Sequence, residues 1–292
     1  MTVRGRTLAS AGWSVALAAA ACGGGEPASR PTTFGGDRPV QLQVPASFDD
    51  GARYPLVMIL HGYGAGGFVQ QAYLGLGNLA DAHDALVLAP DGTADSTGRL
   101  FWNADPACCD FGGAGVDDVA YLGGMVDDIM AAWPVDDTRV SLVGHSNGSF
   151  MAYRMACDRA DVITAIAGLA GLGPTAPCAP VQAVSVLHIH GTDDTTIPYQ
   201  GGDFGPTRAP SAVESVAAFA SRNGCTAAPM TGPSKDLDTG LAGAETTVAI
   251  TGGCPATGAA DLWTIEGGAH LPAVGSQFVT ELTGWLDAHR RP

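Results

Sequence analysis

The stretch Gly144-His145-Ser146-Asn147-Gly148 carries the strongest chemical signal in the sequence. It follows an apolar run at 140–143, read as a strand, and opens a short helical stretch at 147–157. A serine between two glycines at a strand-to-helix junction sits on a sharp turn, in strained backbone that leaves no room for larger neighbours. The turn lifts the hydroxyl clear of the sheet and aims the N–H of Asn147 at the same point. A serine hydroxyl is a weak nucleophile and needs a base, usually a histidine that a carboxylate holds in place. The pattern therefore predicts acyl transfer, with its partners further along the chain.

Serine turns of this kind take their partners in the order serine, acid, histidine. His270 and His289 are the histidines that follow the acid candidates. His289 falls in the closing helix and is expected to meet solvent, whereas His270 ends the loop Glu266-Gly267-Gly268-Ala269, directly after a strand. Ligands of open α/β sheets bind at that end of the strands, so His270 is the expected base. The acid should follow a strand between serine and histidine. The run at 184–189 leads into His190-Gly191-Thr192-Asp193-Asp194, and spacing leaves Asp193 and Asp194 as equal candidates. Charge that develops on the attacked carbonyl oxygen needs two N–H donors. Asn147 supplies one, and Tyr63, in the loop His61-Gly62-Tyr63-Gly64-Ala65-Gly66-Gly67, is expected to supply the other.

Two other chemistries occupy the same segments. Gly62, Gly64 and Gly67 spell a dinucleotide fingerprint between a strand and a helix, with Asp91 as a ribose-binding acid. An exported protein rarely meets NAD, and the serine turn accounts for the loop as well. His188 and His190 share one face of a strand, with Asp193 beyond, but a further cluster of metal ligands is lacking. Neither a metal nor an organic cofactor is expected.

Such residues need a framework. Alternation marks 40–44 as an edge strand. Continuous apolar runs at 54–60, 85–89, 139–143, 162–170 and 184–189 read as strands buried on both faces. Helical stretches at 68–83, 117–133, 147–157 and 210–221 alternate with them, and strands at 246–250 and 262–265 precede a closing helix at 275–289. Alternating strands and helices imply an α/β fold, a mostly parallel central sheet with helices on both faces. One domain over 38–292 accounts for the pattern.

With 46% hydrophobic and 15% charged residues in 292, the chain can bury a large core and is not disordered for most of its length. A net charge of −15 argues against a nucleic-acid partner, whose phosphates call for basic residues. Beyond residue 30 no apolar run is long enough to span a bilayer. Arg4 and Arg6 ahead of the apolar stretch at 8–21 predict a secretory signal over 1–21, followed by a linker over 22–37. The segment LAAAACGGG also resembles a bacterial lipoprotein signal with Cys22 as the acylated residue, although Ala19 stands where leucine is usual. Membrane contact is expected only through that anchor. Setting Cys22 aside leaves six of the seven cysteines, an even number that suits an oxidised, exported chain. Cys225 and Cys254 are expected to pair. Cys108 and Cys109 are expected to reach different partners, because a ring closed across one peptide bond is strained.

With these pieces placed, residues 38–286 resemble an α/β-hydrolase of the secreted polyhydroxybutyrate depolymerase, feruloyl esterase and acetylxylan esterase group. The likeness rests on LHGYG at 60–64, WNADPACCDFGGAGVDDVAYL at 102–122 and GHSNG at 144–148, with HGTDDTTIPYQGG at 190–202 and GGAH at 267–270. It implies a serine carboxylic-ester hydrolase with Ser146 as nucleophile, His270 as base and Asp194, rather than Asp193, as acid. The reaction would pass through an acyl-enzyme and the substrate would be a small, plant-wall or polyester ester. Tyr63 and Trp102 are expected as aromatic walls of the substrate site, with a place in the core as the alternative for either. The chain departs from the group at Ser149, where glycine is usual, and at Leu271-Pro272, where Trp-Pro is usual. A peptidase or amidase on the same fold, and a non-catalytic exported binding lipoprotein, are the alternatives.

Overall fold

The run Tyr54-Pro55-Leu56-Val57-Met58-Ile59-Leu60 becomes a strand in which alternate side chains enter two different cores. Leu56, Met58 and Leu60 pack into one cluster, Val57 and Ile59 into the other. A sheet buried on both faces is what such an unbroken apolar run requires. The computed structural model describes residues 1–2, 30–204, 206–255 and 258–292. Apart from Met1 and Thr2, the expected signal at 1–21, together with Cys22, lies outside the described residues.

One compact unit covers Pro31–Pro292. It opens with the short antiparallel pair β1 (Thr33–Phe34) and β2 (Val40–Gln41). Residues 31–37, expected as linker, are part of this unit: Phe34 is buried, and the Trp133 indole N–H donates to the Pro31 carbonyl at 2.8 Å. The central strand β3 (Tyr54–Leu60) follows, then helices α1 (Gly67–Tyr73) and α2 (Leu79–Ala82) and strand β4 (Leu86–Leu88). The single helix expected over 68–83 is thus two. Gly75, at φ +71°, breaks it in a conformation that favours glycine. A hairpin of β5 (Thr93–Ala94) and β6 (Leu100–Phe101) precedes helix α3 (Asp118–Ala132), capped by the Asp117 side chain on the Ala120 N–H.

Strand β7 (Val135–His145) and helix α4 (Asn147–Asp158) flank Ser146, and β8 (Ala165–Leu169) and β9 (Ser185–Gly191) follow. A hairpin of β10 (Gly202–Phe204) and β11 (Thr207–Ala209) leads to helix α5 (Ala212–Arg222), which starts with a capping box of Ser211 and Glu214. The last strands are β12 (Pro229–Lys235), β13 (Thr246–Thr251) and β14 (Ala260–Ile265), and helix α6 (Ser276–Ala288) closes the chain. The main sheet runs β12-β13-β14-β9-β8-β7-β3-β4, parallel from β14 to β4 and antiparallel at its β12–β13 edge. Among the described residues, no helix is long and apolar enough to cross a membrane.

Three disulfides are present among the described residues: Cys225–Cys254, as expected, Cys157–Cys178, and Cys108–Cys109. The last corrects the expectation of separate partners. A cis peptide bond joins Cys108 to Cys109 and brings their Cα atoms to 3.0 Å, so the two sulfurs meet each other.

Candidate active site

Strand β7 ends at His145 and α4 begins at Asn147, which leaves Ser146 alone on the turn. Its backbone lies at φ +53°, ψ −120°, a region that costs a residue with a side chain about 1–3 kcal/mol. The flanking glycines let the turn close. A Cβ at Gly144 would stand 2.1 Å from the Gly148 carbonyl oxygen, and one at Gly148 2.1 Å from that of Leu60. The Ser146 N–H donates to the Leu169 carbonyl at 2.8 Å, tying the turn to the end of β8.

Ser146 Oγ is 3.0 Å from His270 Nε2, and His270 Nδ1 is 2.7 Å from Asp194 Oδ2. The three residues follow β7, β14 and β9, at the carboxyl ends of parallel strands. Two loops are laced together to align them. The Gly267 N–H donates to Thr192 Oγ1 at 2.7 Å, and the Asp193 N–H to the Gly268 carbonyl at 3.0 Å. Gly191 must lack a side chain, since a Cβ there would sit 2.1 Å from the Gly268 oxygen. Asp194 is buried, its Oδ1 accepting from the Thr196 and Ile197 N–H groups at 2.8 Å each. Burial alone would raise the Asp194 carboxyl, but hydrogen bonds from His190, His270 and the Ile197 N–H outweigh it and hold the group far below the usual carboxylate range. Asp193 is exposed.

The N–H of Asn147 belongs to the first turn of α4, where backbone donors lack intrahelical acceptors. In the loop after β3, Gly62 N–H donates to Gln70 Oε1, Gly64 N–H to Leu100 and Ala65 N–H to Gly62. The Tyr63 N–H has no acceptor among the described residues. The Tyr63 hydroxyl donates to Asp95 Oδ2 at 2.5 Å, and its ring meets Phe111 edge-on at 5.4 Å.

Trp102 corrects an expectation. It is fully buried and walls no cavity at Ser146. Its backbone instead clasps the Asn147 side chain: Trp102 N–H donates to Asn147 Oδ1 at 2.7 Å, and Asn147 Nδ2 to the Trp102 carbonyl at 2.9 Å. The large ring packs into the core because its one polar atom, Nε1, is satisfied by the His61 carbonyl at 3.1 Å. The glycine fingerprint also has a packing role. Gly67 lies so close to β4 that a Cβ would come 1.9 Å from the Ala89 oxygen, and Asp91 Oδ1 accepts the Gly67 N–H at 2.7 Å. His289 stacks on Trp285 at 4.1 Å and is half-buried rather than free in solvent.

Sequence reasoning missed His145. Its Nε2–H donates to the main-chain oxygen of His270 at 2.9 Å, and burial pulls its pKa down to about 4, so it is neutral near pH 7. The only available signal was its position beside the serine. His188 and His190 form a buried line with Tyr153 behind Asp194: Tyr153 hydroxyl to His188 Nδ1 is 2.7 Å, His188 Nε2 to His190 Nδ1 is 3.0 Å, and His190 Nε2 to Asp194 Oδ2 is 3.3 Å. Among the described residues, no group of histidine, cysteine and acidic side chains is arranged to hold a metal.

Two cavities meet at Ser146. One, of about 380 Å³, is bounded by His270, Leu271, Tyr73 and Val69. The other, of about 530 Å³, is bounded by the Cys108–Cys109 disulfide, Phe111, Ile197 and Phe204. Tyr63 stands between them and borders both.

No family model matches the chain. It is 26% identical over 166 residues to the bifunctional acetylxylan esterase/xylanase XynS20E of Neocallimastix patriciarum, covering 57% of this chain and 23% of that protein. It is 25% identical over 202 residues to feruloyl esterase B of Piromyces equi, covering 66% of this chain and 37% of that one. The chain spans between 23% and 63% of the length of the curated relatives it matches. Among solved structures, the acetyl xylan esterase from Aspergillus awamori superposes with a TM-score of 0.61 at 14% identity, over 86% of this chain and 94% of that one. A thermostable esterase gives 0.57 at 15% identity, over 87% and 59%. The fold is therefore that of the α/β-hydrolases.

Proposed function

We propose that the protein is a serine carboxylic-ester hydrolase that works through an acyl-enzyme. The observation that carries this reading is the unbroken line from Ser146 Oγ through the His270 ring to Asp194, with the serine held on a strained turn. The esterase names of its relatives favour an ester over an amide substrate.

Ser146 Oγ attacks the ester carbonyl carbon while His270 Nε2 takes its proton. Asp194 stays ionised and stabilises the imidazolium through Nδ1–H. The oxyanion is received by the N–H groups of Asn147 and Tyr63, preset donors that cost no reorganisation when charge develops. The tetrahedral intermediate collapses as His270 passes its proton to the departing alkoxide. Water then attacks the acyl-serine with His270 as base, and the proton returns to Ser146 as the acid leaves.

Proton delivery assigns the two cavities. The alcohol departs beside His270, in the cavity of Leu271, Tyr73 and Val69, and the acyl group occupies the larger apolar cavity beside the disulfide. Leu271, where the resembled group carries tryptophan, therefore borders the alcohol side. Three disulfides fit an exported protein, and a lipid anchor at Cys22 belongs to this reading as well.

The test compares turnover of p-nitrophenyl butyrate, methyl ferulate, acetylated xylan and hydroxybutyrate oligomers with that of a p-nitroanilide. Hydrolysis of at least one ester class, with the anilide untouched, is expected. Cleavage of the anilide at a comparable rate would favour an amidase, and no turnover at all would leave a binding protein.

A further inference from the structure

The histidine pair that the reaction above does not use lies directly behind Asp194. Tyr153, His188 and His190 are fully or almost fully buried, and each hydrogen bond among them has one consistent direction. His190 Nε2 faces two acceptors, the Ile197 carbonyl at 2.8 Å and Asp194 Oδ2 at 3.3 Å, so it must carry the proton. The buried Tyr153 hydroxyl has His188 Nδ1 as its acceptor among the described residues, so His188 carries its hydrogen on Nε2 and His190 accepts at Nδ1. Reversing the chain would leave the buried Tyr153 hydroxyl hydrogen without an acceptor among the described residues.

We infer that Tyr153, His188 and His190 are positioning residues, a directional hydrogen-bond chain that fixes the tautomer of His190 and so delivers a second imidazole N–H to Asp194 Oδ2. The inference rests on the esterase reading and adds to it. Asp194 Oδ2 then has two donors, His190 and His270, while Oδ1 has two backbone donors. A carboxylate held by four N–H groups cannot rotate, and its charge is shared rather than left wholly to His270. Burial keeps Tyr153 protonated and His188 neutral, which suits the assigned direction. The surroundings add no competing charge: α4 supplies Tyr153, α5 Phe219, β14 Thr264 opposite His190, and the loop after β9 Tyr199. The other titratable groups close by are His145, His270 and Asp194 itself.

The experiment uses the whole chain and p-nitrophenyl butyrate. His190→Leu removes the donor, His190→Gln keeps an N–H able to reach Asp194, and Tyr153→Phe removes only the hydroxyl that starts the chain. His190→Leu is expected to lower kcat roughly 10-fold, the size of a lost hydrogen bond to a charged group, with little change in KM. The acidic limb of its kcat/KM profile should move to higher pH, because Asp194 then holds the His270 imidazolium more firmly. His190→Gln should restore most of kcat, and Tyr153→Phe should shift the limb the same way by less. Histidine ¹⁵N NMR of the wild-type protein at pH 7 should show both His188 and His190 as neutral Nε2–H tautomers.

A folded His190→Leu with wild-type kcat and an unmoved limb would overturn the inference while leaving the esterase reading intact. Should that variant fail to fold, Nδ1–H or charged rings in the NMR, or a Tyr153→Phe profile superimposable on wild type, would overturn it. A wild-type enzyme that turns over no ester would instead strike at the reading beneath.

Discussion

His145 Nε2 stands 2.9 Å from the main-chain carbonyl oxygen of His270, so the residue before Ser146 holds the loop that follows β14. The two rings are 5.0 Å apart. Protonating His145 would place a cation beside the His270 ring.

That arrangement makes stability depend on pH in a definite window. Burial lowers the His145 pKa from 6.5 to about 4, so the unfolded chain binds the proton more readily than the folded one. Its contribution is intact above about pH 6.5 and declines by about 3 kcal/mol as the pH falls toward 4. Burial shifts His188 in the same direction. Asp194, depressed from 3.8, begins to lose its contribution only below that value, so the two windows separate. Urea midpoints should fall between pH 7 and pH 4.5, and His145→Gln should flatten that slope. Parallel slopes for the two proteins would contradict the assignment.

The acid position is testable by a pair of neighbours. Asp194→Asn should lower kcat by roughly 10⁴-fold, because an amide in that place selects the wrong histidine tautomer. Asp193→Asn, at an exposed position whose backbone alone ties the loops, should stay within about two-fold of wild type, inside the ±0.5 kcal/mol typical of surface changes. Steady-state kinetics decides between the two, and the reverse ranking would contradict the placement.

The turn itself can be probed through its glycines. Gly148→Ala drives a methyl to 2.1 Å from the Leu60 oxygen, and backbone on both sides has nowhere to go. Thermal unfolding should show a destabilisation of about 3 kcal/mol or more, within the range for overpacked cores, with activity lost alongside. Gly284→Ala, in the middle of α6 with nothing near its added methyl, should instead stabilise by about 1 kcal/mol. Equal behaviour of the two would show that the steric account of the turn is wrong.

Cys157 closes the elbow helix onto Cys178 across 21 residues of sequence. Cys157→Ala with Cys178→Ala should cost roughly 3 kcal/mol, the loop-entropy value for a ring of this size. Denaturant titration under non-reducing conditions measures it. A loss under 1 kcal/mol would mean that the intervening segment is already ordered in the unfolded chain.

The parallel strands and the elbow were legible in the sequence because each follows from local pattern. Unbroken apolar runs gave β3, β7 and β9, and Gly144 and Gly148 announced the turn. Strand β12 escaped notice because its residues, Pro229 and Lys235 at its ends, are mostly exposed and lack alternation. Trp102 was misread because residue type says how large a ring is, not whether it faces a cavity. The Cys108–Cys109 bond was missed because peptide geometry at one bond decides it, and composition does not report that geometry. His188 and His190 were visible as a pair, but the partner that anchors their far end, Tyr153, lies on a helix 35 residues earlier.

The central claim is that the Ser146 hydroxyl, activated by His270, is the nucleophile. Labelling with a fluorophosphonate, followed by peptide mapping, tests it most directly. The account predicts one equivalent of label on Ser146, lost in Ser146→Ala together with ester turnover while the protein remains folded. Label on another residue, or a folded Ser146→Ala that still hydrolyses p-nitrophenyl butyrate at the wild-type rate, would contradict it.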